Sequence, residues 1–357
     1  MGVLGLRTMP KVDLHRHLEG AVRLRTLLDL YREAGDPLPE TTPEELAPRA
    51  QVLEPMDGLE TVLAFFGIAQ HVFRDIAAVE RIAFEAVEDL AADQVRLAEL
   101  RFSPDFLCSP HGLDWDGAME AIVRGVERAA REHDVAVGLI AIFSRTYGMG
   151  SLRRTVDFAL RWRERLVGFD LADEERRFPP SMYVEALAPI AEAGIPLTAH
   201  YGESGGPQLP REAIEALGAR RLGHGVSVAH DPEVTALARE RGVTLEMCPT
   251  SNHRTRAVAS LAEHPARRLL DEGVRVTINT DDPALFGIDL THELEVCRRD
   301  LGFTEADLRR VTANAIDASF LDDATKADVR RRHFAWLEDR GSDPGGRMGR
   351  PTCPDGR

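Results

Sequence analysis

An alternation constrains this chain more than any other feature. Short apolar runs of β-forming character recur eight times, and longer stretches with helical spacing separate them. The runs are Lys11–His15, Val95–Phe102, Val135–Phe143, Leu166–Leu171, Ile195–His200, Arg221–His224, Val243–Cys248 and Val274–Thr280. Helical patterns between them include Ala78–Leu90, Trp115–Arg131, Met182–Ala193, Asp231–Arg241 and Ala257–Glu272. Strands that alternate with helices give a parallel sheet covered by helices. Eight strands predict a closed (β/α)8 TIM barrel, with an open doubly wound sheet as the alternative. At 357 residues and 43% hydrophobic content, the chain is long enough to bury such a core.

The gap between the first two runs is too long for a single βα connection. It holds helical patterns at Arg23–Glu33 and Leu59–Phe73, on either side of the Pro-rich stretch Pro37–Pro55. We read residues 20–94 as a helical insertion over one barrel end, placed to act as a lid; the plainer alternative is helical packing. Helices should continue after the eighth run to about Asp339, so that residues 1–340 form one domain. Gly341–Arg357 has almost no large apolar residue and reads as a disordered tail.

The chemistry begins in the first run. His15 and His17 lie two residues apart, and in a strand such side chains share a face. Two imidazoles on one face make half of a zinc site, though alone the pair is equally well read as two packed or surface histidines. Three later runs end in similar fashion. The fifth ends in His200-Tyr201-Gly202-Glu203, the sixth in Gly223-His224-Gly225, and the eighth in Asn279-Thr280-Asp281-Asp282-Pro283. A parallel barrel gathers the C-terminal ends of its strands on one face. Packing explains such clusters poorly, because buried Asp and Glu need partners. Together they point to a metal-dependent active site. His71, His111, His133, His230, His253, His264, His292 and His333 fall mostly in helical or loop stretches and are assigned no role.

Composition narrows the partners. The chain has 44 Lys+Arg against 59 Asp+Glu, a formal charge of −15. That surface argues against duplex nucleic acid or an anionic membrane as a main partner. Lys11 and Lys326 are the only lysines, and neither falls where a carbamylated lysine would bridge two metals. Cys108, Cys248, Cys297 and Cys353 form no CxxC pair, which favours a reducing compartment. No run reaches the ~18 apolar residues of a membrane span. Met1–Pro10 lacks a long apolar signal region, and Leu6 stands where a myristoylation motif requires Ser or Thr. We expect a cytoplasmic protein; its oligomeric state is not legible.

In combination, KVDLHRHLEG, ELRFSP, FDLADEE, HYGES, LGHGV, CPTSN and TINTDDP resemble the adenosine deaminase family of amidohydrolase-type barrels. The similarity runs from about Pro10 to Arg331, includes RRDLGFTEADL, and is nearest to the bacterial adenosine deaminases. The resemblance implies one zinc ion per chain, held by His15, His17, His200 and Asp281. It implies Glu203 as the acid that protonates purine N1. His224 would stand beside the attacking water, and Asp282 would hydrogen-bond N7. His17 and Asp281 would also border the reacting centre. Leu59, Val62, Leu63 and Phe66 would form the lid's apolar wall, with Val62 in place of the usual Phe. The implied reaction is hydrolytic deamination of a 6-aminopurine in purine salvage. Adenosine or 2′-deoxyadenosine is the first substrate and adenine the alternative.

Elementary chemistry supports these roles. Zinc lowers the pKa of a ligated water from about 15.7 to about 7. Attack on the aromatic C6 is poor unless a ring nitrogen is protonated, so Glu203 must be a carboxylic acid with a raised pKa. His224 would accept a proton from the attacking water and stabilise the alkoxide.

Four positions depart from the adenosine branch or qualify its reading. Glu19 stands where HLDG would place an Asp on the ribose 5′-hydroxyl, and HLEG is similar to the adenine deaminase branch. Asp173 replaces the Gly whose N–H faces purine N3, and its Cβ limits close approach and positive φ. Tyr201 replaces a common Ala, either narrowing the pocket or packing beneath it. Arg145 is a candidate phosphate contact or a structural pair. Three rivals are weighed. A PHP-type phosphoesterase would need further metal ligands that this pattern lacks. A non-catalytic purine binder would have lost Glu203 or a ligand. A cytidine-deaminase-type enzyme would need a PCxxC partner for His17-Leu18-Glu19.

Overall fold

The computed structural model describes residues 5–337. Eight parallel strands form one sheet in chain order. They are β1 (Lys11–His17), β2 (Val95–Phe102), β3 (Ala136–Ser144), β4 (Gly168–Ala172), β5 (Leu197–Tyr201), β6 (Arg221–His224), β7 (Thr244–Met247) and β8 (Arg275–Ile278). Each falls on an expected run. The strands are buried on both faces, which is why they read as nearly continuous apolar runs and not as alternating ones.

The barrel closes where β1 meets the segment after β8. The Asp281 N–H donates to His15 O at 2.8 Å, and the His17 N–H donates to Asp281 O at 2.9 Å. One residue lower, the Leu14 N–H donates to Asn279 Oδ1 at 3.0 Å. The closing seam therefore threads the backbone of Asp281 between the two histidines of β1.

Below the mouth the interior is ionic. Arg101 on β2 pairs with Asp170 at 2.8 Å and with Glu246 at 2.9 Å. Arg221 on β6 pairs with Glu99 at 2.5 Å and with Glu246 at 2.6 Å. All five side chains are buried. Burial opposes charge on Glu246, but Arg101 and Arg221 hold its carboxyl well below the ordinary range. Charges so placed are tolerable only in pairs; removing one partner costs about 3–5 kcal/mol.

Helices cover the outside. Ile76–Ala92, capped by Asp75, packs on β2 and on Trp115–His133, which Asp114 caps. Glu305–Ala318 and Asp323–His333 complete the wall after β8. The last expected helical residues, near Asp339, and the tail Gly341–Arg357 lie outside the described residues.

Three helical expectations need correction. The stretch Ala257–Glu272 is not one helix but a 3-10 turn, Leu261–Glu263, and a short helix, Ala266–Asp271. Pro265 forces His264 into extended backbone, at φ −64° and ψ 127°. Within Pro37–Pro55 there is a helix, Pro43–Ala50, with Pro43 in its first turn and the Thr42 hydroxyl accepting from the Glu45 N–H. Leu59–Phe73 divides into Leu59–Leu63 and Phe66–Gln70.

The segment between β1 and β2 is strapped across the C-terminal face. The Val52 N–H donates to Leu285 O at 2.8 Å, and the Met56 N–H donates to Arg254 O at 2.9 Å. Val52 and Val62 pack with Leu285 and Phe286 in a small apolar cluster separate from the main core. Lys11 lies at the opposite end of β1, with Nζ donating to Met9 O and Asp93 O. Cys108, Cys248 and Cys297 are buried free thiols.

Candidate active site

The four polar strand ends converge at the C-terminal mouth. His17 Nε2 lies 3.3 Å from His15 Nε2, 3.3 Å from His200 Nε2 and 3.2 Å from Asp281 Oδ1. His15 Nε2 lies 3.1 Å from Asp281 Oδ1. Four ligands about 2.0–2.1 Å from a tetrahedral ion stand roughly 3.3 Å apart, so the spacing of this set fits a metal site. A wider grouping also takes in His224 with His15, His200 and Asp281, all within 4.8 Å. His224 Nε2 is nevertheless 4.0 Å from Asp281 Oδ2, further out than any of the His17 separations. His17 thus stands nearer to Asp281 than His224 does.

Groups from other strands orient these ligands. His15 Nδ1 is 2.9 Å from Glu246 Oε2, and His200 Nδ1 is 3.1 Å from Asp170 Oδ1. Each carboxylate accepts the Nδ1 proton and leaves Nε2 free as a donor atom for metal. Burial, and the neighbouring His15 and His17, push His200 down to about 3, so its ring is neutral. Ser251 Oγ donates to Asp281 Oδ2 at 2.7 Å. Gly223 lets the rings converge: a Cβ there would lie 3.0 Å from both His15 Cε1 and His200 Cγ. Three residues here, Asp173, His224 and Asp281, hold φ near +83°, +62° and +62°. Left-handed backbone in non-glycine residues concentrates at functional sites, where surrounding structure holds the strain.

A cavity of about 340 Å³ opens above the cluster. Its wall includes every residue expected to touch substrate: His17, Glu19, Leu59, Val62, Leu63, Phe66, Asp173 and Asp282. Glu203 and His224 also face it. Burial raises the Glu203 carboxyl above its ordinary value, and the charge of Asp281 adds to the shift. Burial also raises Asp282, with Asp281, Glu19 and Glu203 adding their charge. Asp282 Oδ1 is buried without a protein partner. Gly20 leaves it room, since a Cβ at that position would meet Oδ1 at 1.9 Å.

The sequence reading missed several groups. Ser103, Phe106, Ser144, Thr146, Tyr147 and Phe286 also line the cavity. Thr146 and Tyr147 follow β3 directly, so the strand-end rule would have found them. Glu175 has no such signal. Its carboxylate accepts from the N–H groups of Gly202, Ser204 and Gly205, which clamps the loop that carries Glu203.

The sequence profile of the adenosine deaminase family matches residues 10–335. The chain belongs to the adenosine deaminase family. It is 37% identical over 326 residues to the adenosine deaminase of Vibrio parahaemolyticus, covering 91% of this chain and 98% of that one. Its fold is similar to the adenine deaminase of Arthrobacter aurescens, with TM-score 0.85 and 28% identity over 92% of this chain and 99% of the other. It is also similar to an amidohydrolase from Burkholderia ambifaria with bound Zn, at TM-score 0.83 and 28% identity over 95% and 94% of the two chains.

Against that family pattern, the departures take definite positions. Asp173 adopts positive φ despite its Cβ, with the Glu174 N–H donating to its Oδ1 at 2.9 Å and the Thr146 hydroxyl donating to its Oδ2. Glu19 accepts from the Ser103 N–H through Oε1 at 2.6 Å, while Oε2 is buried without a partner. Burial pushes the Glu19 carboxyl up to about 7. Tyr201 packs beneath the pocket, fully buried, with its hydroxyl donating to Phe178 O at 2.9 Å. Arg145 is also buried. It donates to Asp173 O at 2.9 Å and to His200 O at 2.6 Å, over the Tyr201 ring. It is therefore a structural group bonded to carbonyls, not a phosphate contact.

Proposed function

We propose that this chain hydrolyses adenosine and 2′-deoxyadenosine to inosine and 2′-deoxyinosine, releasing ammonia. One observation carries this reading. Three imidazole Nε2 atoms and one carboxylate oxygen converge at tetrahedral spacing beneath a purine-sized cavity, and that cavity faces a carboxyl of raised pKa. In this reading His15, His17, His200 and Asp281 hold one zinc ion, which supplies Lewis-acid activation of water when bound.

The remaining roles follow from hydrogen-bond complementarity. Purine N1 and N7 are acceptors, so groups facing them must donate. Glu203, whose pKa burial raises, gives its proton to N1 and draws electron density from C6. Asp282, likewise raised, donates to N7. The Asp173 N–H stands for the N3 contact. Attack of water forms the C6–O bond, and the exocyclic C6–N bond then breaks as ammonia leaves. Leu59, Val62, Leu63 and Phe66 cover the ring and exclude water, so we take the helices between β1 and β2 as the lid. The barrel with this insertion forms a single domain. Three buried free thiols suit a reducing compartment, and we assign the chain to the cytoplasm.

Glu19 offers its unpartnered Oε2 to the ribose hydroxyl. Glu19 and Asp173 both present acid to the cavity while Arg145 is turned away, which disfavours a 5′-phosphate. The same Glu19 favours a second reading, because its extra methylene also fills ribose space and suits adenine. Ammonia release from zinc-loaded protein against adenosine, 2′-deoxyadenosine, adenine and AMP separates these. Nucleoside turnover well above that on adenine is expected; a preference for adenine or AMP would overturn the assignment.

A further inference from the structure

Behind His224, on the side away from the cavity, a chain of buried hydrogen bonds continues that the deamination chemistry above does not use. Asn252 is fully buried and His264 is 5% exposed. His224 Nδ1 lies 2.9 Å from Asn252 Nδ2, and Asn252 Oδ1 lies 3.0 Å from His264 Nε2. His264 Nδ1 lies 3.2 Å from the backbone nitrogen of Ala266.

The direction of this chain is fixed at its far end. The Ala266 N–H can only donate, so His264 Nδ1 accepts. A ring that accepts at Nδ1 carries its proton on Nε2, and that proton goes to Asn252 Oδ1. The Cys248 N–H points at the same Oδ1, at 3.4 Å. Two donors thus fix which end of the amide is oxygen. The Asn252 NH2 must then face His224 and donate to its Nδ1. By the same logic the His224 proton sits on Nε2. That atom is on the cavity side, 3.7 Å from Glu203 Oε2 and 4.0 Å from Asp281 Oδ2. Burial pushes His264 down to about 3, in keeping with a ring that stays neutral.

We propose that Asn252 and His264 are positioning residues that fix His224 as an Nε2–H donor toward the reacting oxygen, and not as the base for the attacking water. A ring nitrogen that bears a proton has no lone pair to offer. The proton of the attacking water goes instead to the Glu203 carboxylate left when N1 is protonated, 3.7 Å from His224 Nε2, and from there to the leaving amine, while the His224 N–H stabilises the negative charge that develops on oxygen at C6. The expectation that His224 accepts that proton is therefore replaced; its electrostatic half is kept. The kinetic consequence rests on the deaminase reading, whereas the ring assignment does not.

The test reads the two nitrogens of His224 directly. Protein labelled with 15N-histidine is examined by long-range 1H–15N correlation, metal-free and zinc-loaded, with His224 assigned from His224→Gln. A pyridine-type Nδ1 and a pyrrole-type Nε2 are expected in both forms. Asn252→Asp keeps the shape but replaces the donor by an acceptor, so Nδ1 should become pyrrole-type. Turnover should then fall about 10²–10³-fold with KM changed only a few-fold. His264→Leu is the second variant. It frees the amide to flip, and His224 should show both tautomers; His264→Gln, which can bond at both ends, should restore the wild-type pattern. A pyrrole-type Nδ1 in the wild type overturns the proposal, as does an Nδ1 signal unmoved in folded Asn252→Asp and His264→Leu. Absence of ammonia release by the wild type would instead count against the deaminase reading and leave the ring assignment standing on its own signal.

Discussion

Glu203 Oε2 stands 3.7 Å from His224 Nε2, across the mouth of the barrel from β5 to β6. The two groups flank the same small volume above Asp281. One is a carboxyl whose pKa burial raises; the other is an imidazole whose rear nitrogen is already engaged. Both groups face the cavity, and the changes below test what they and their neighbours do.

Glu203→Gln removes the proton that N1 needs but keeps the size of the side chain. Turnover of adenosine should fall about 10²–10⁴-fold, the usual worth of general acid catalysis. Zinc content by elemental analysis should be unchanged, because Glu203 is not a ligand. Near-wild-type turnover would remove Glu203 from the acid role.

Asp170→Asn tests the support beneath His200. The carboxylate fixes His200 through Nδ1 at 3.1 Å and also pairs with Arg101 at 2.8 Å. Zinc affinity, measured by competition with a chelator, should weaken about 10–100-fold. The melting temperature should also fall, since Arg101 keeps its charge and loses one of two carboxylates.

Glu19→Ala separates nucleoside from base. It deletes the unpartnered oxygen offered to the ribose and leaves the purine contacts in place. Adenosine kcat/KM should drop about 10²-fold while adenine turnover changes little, since loss of a dedicated hydrogen bond discriminates against the ligand that used it. An equal loss on both substrates would show that Glu19 supports the site as a whole.

Glu293 gives the protein a pH-dependent term. It is fully buried, accepts from the Thr250 N–H at 3.1 Å, and burial pushes its carboxyl up to about 8. The unfolded value is near 4.5, so the folded state holds this proton more tightly. The resulting stability is complete below about pH 4.5 and is lost as pH rises through about 8. Glu293→Gln stays neutral throughout. Its melting temperature should decline less than the wild type's between pH 5 and 8, with the gap in its favour widest at pH 8. Parallel curves for the two proteins would refute the shift.

Much of the site was legible because a parallel barrel turns sequence position into spatial position. A polar residue at the end of a buried strand must lie at the mouth, and His15, His17, His200, His224, Asp281 and Asp282 all obey this. Chain direction alone separated Lys11 from that end. The helical boundaries were less legible, as at Pro265, where one proline divides a stretch whose apolar spacing suits a single helix.

The sequence by itself determined the eight strands, the ends that carry chemistry, and the family to which the chain belongs. Local patterning suffices for these, since strand burial and ligand spacing are set by neighbours in the chain. Only the tertiary structure decided which group supports which. Glu246 reaches His15 across the barrel, Asp170 reaches His200, and Asn252 reaches His224 from the short helix Pro249–Arg254 after β7. It also decided that Arg145 bonds carbonyls and that Asp173 bears a positive φ. Hydrogen-bond partners between strands depend on register, barrel closure and burial, and no short stretch of sequence encodes all three.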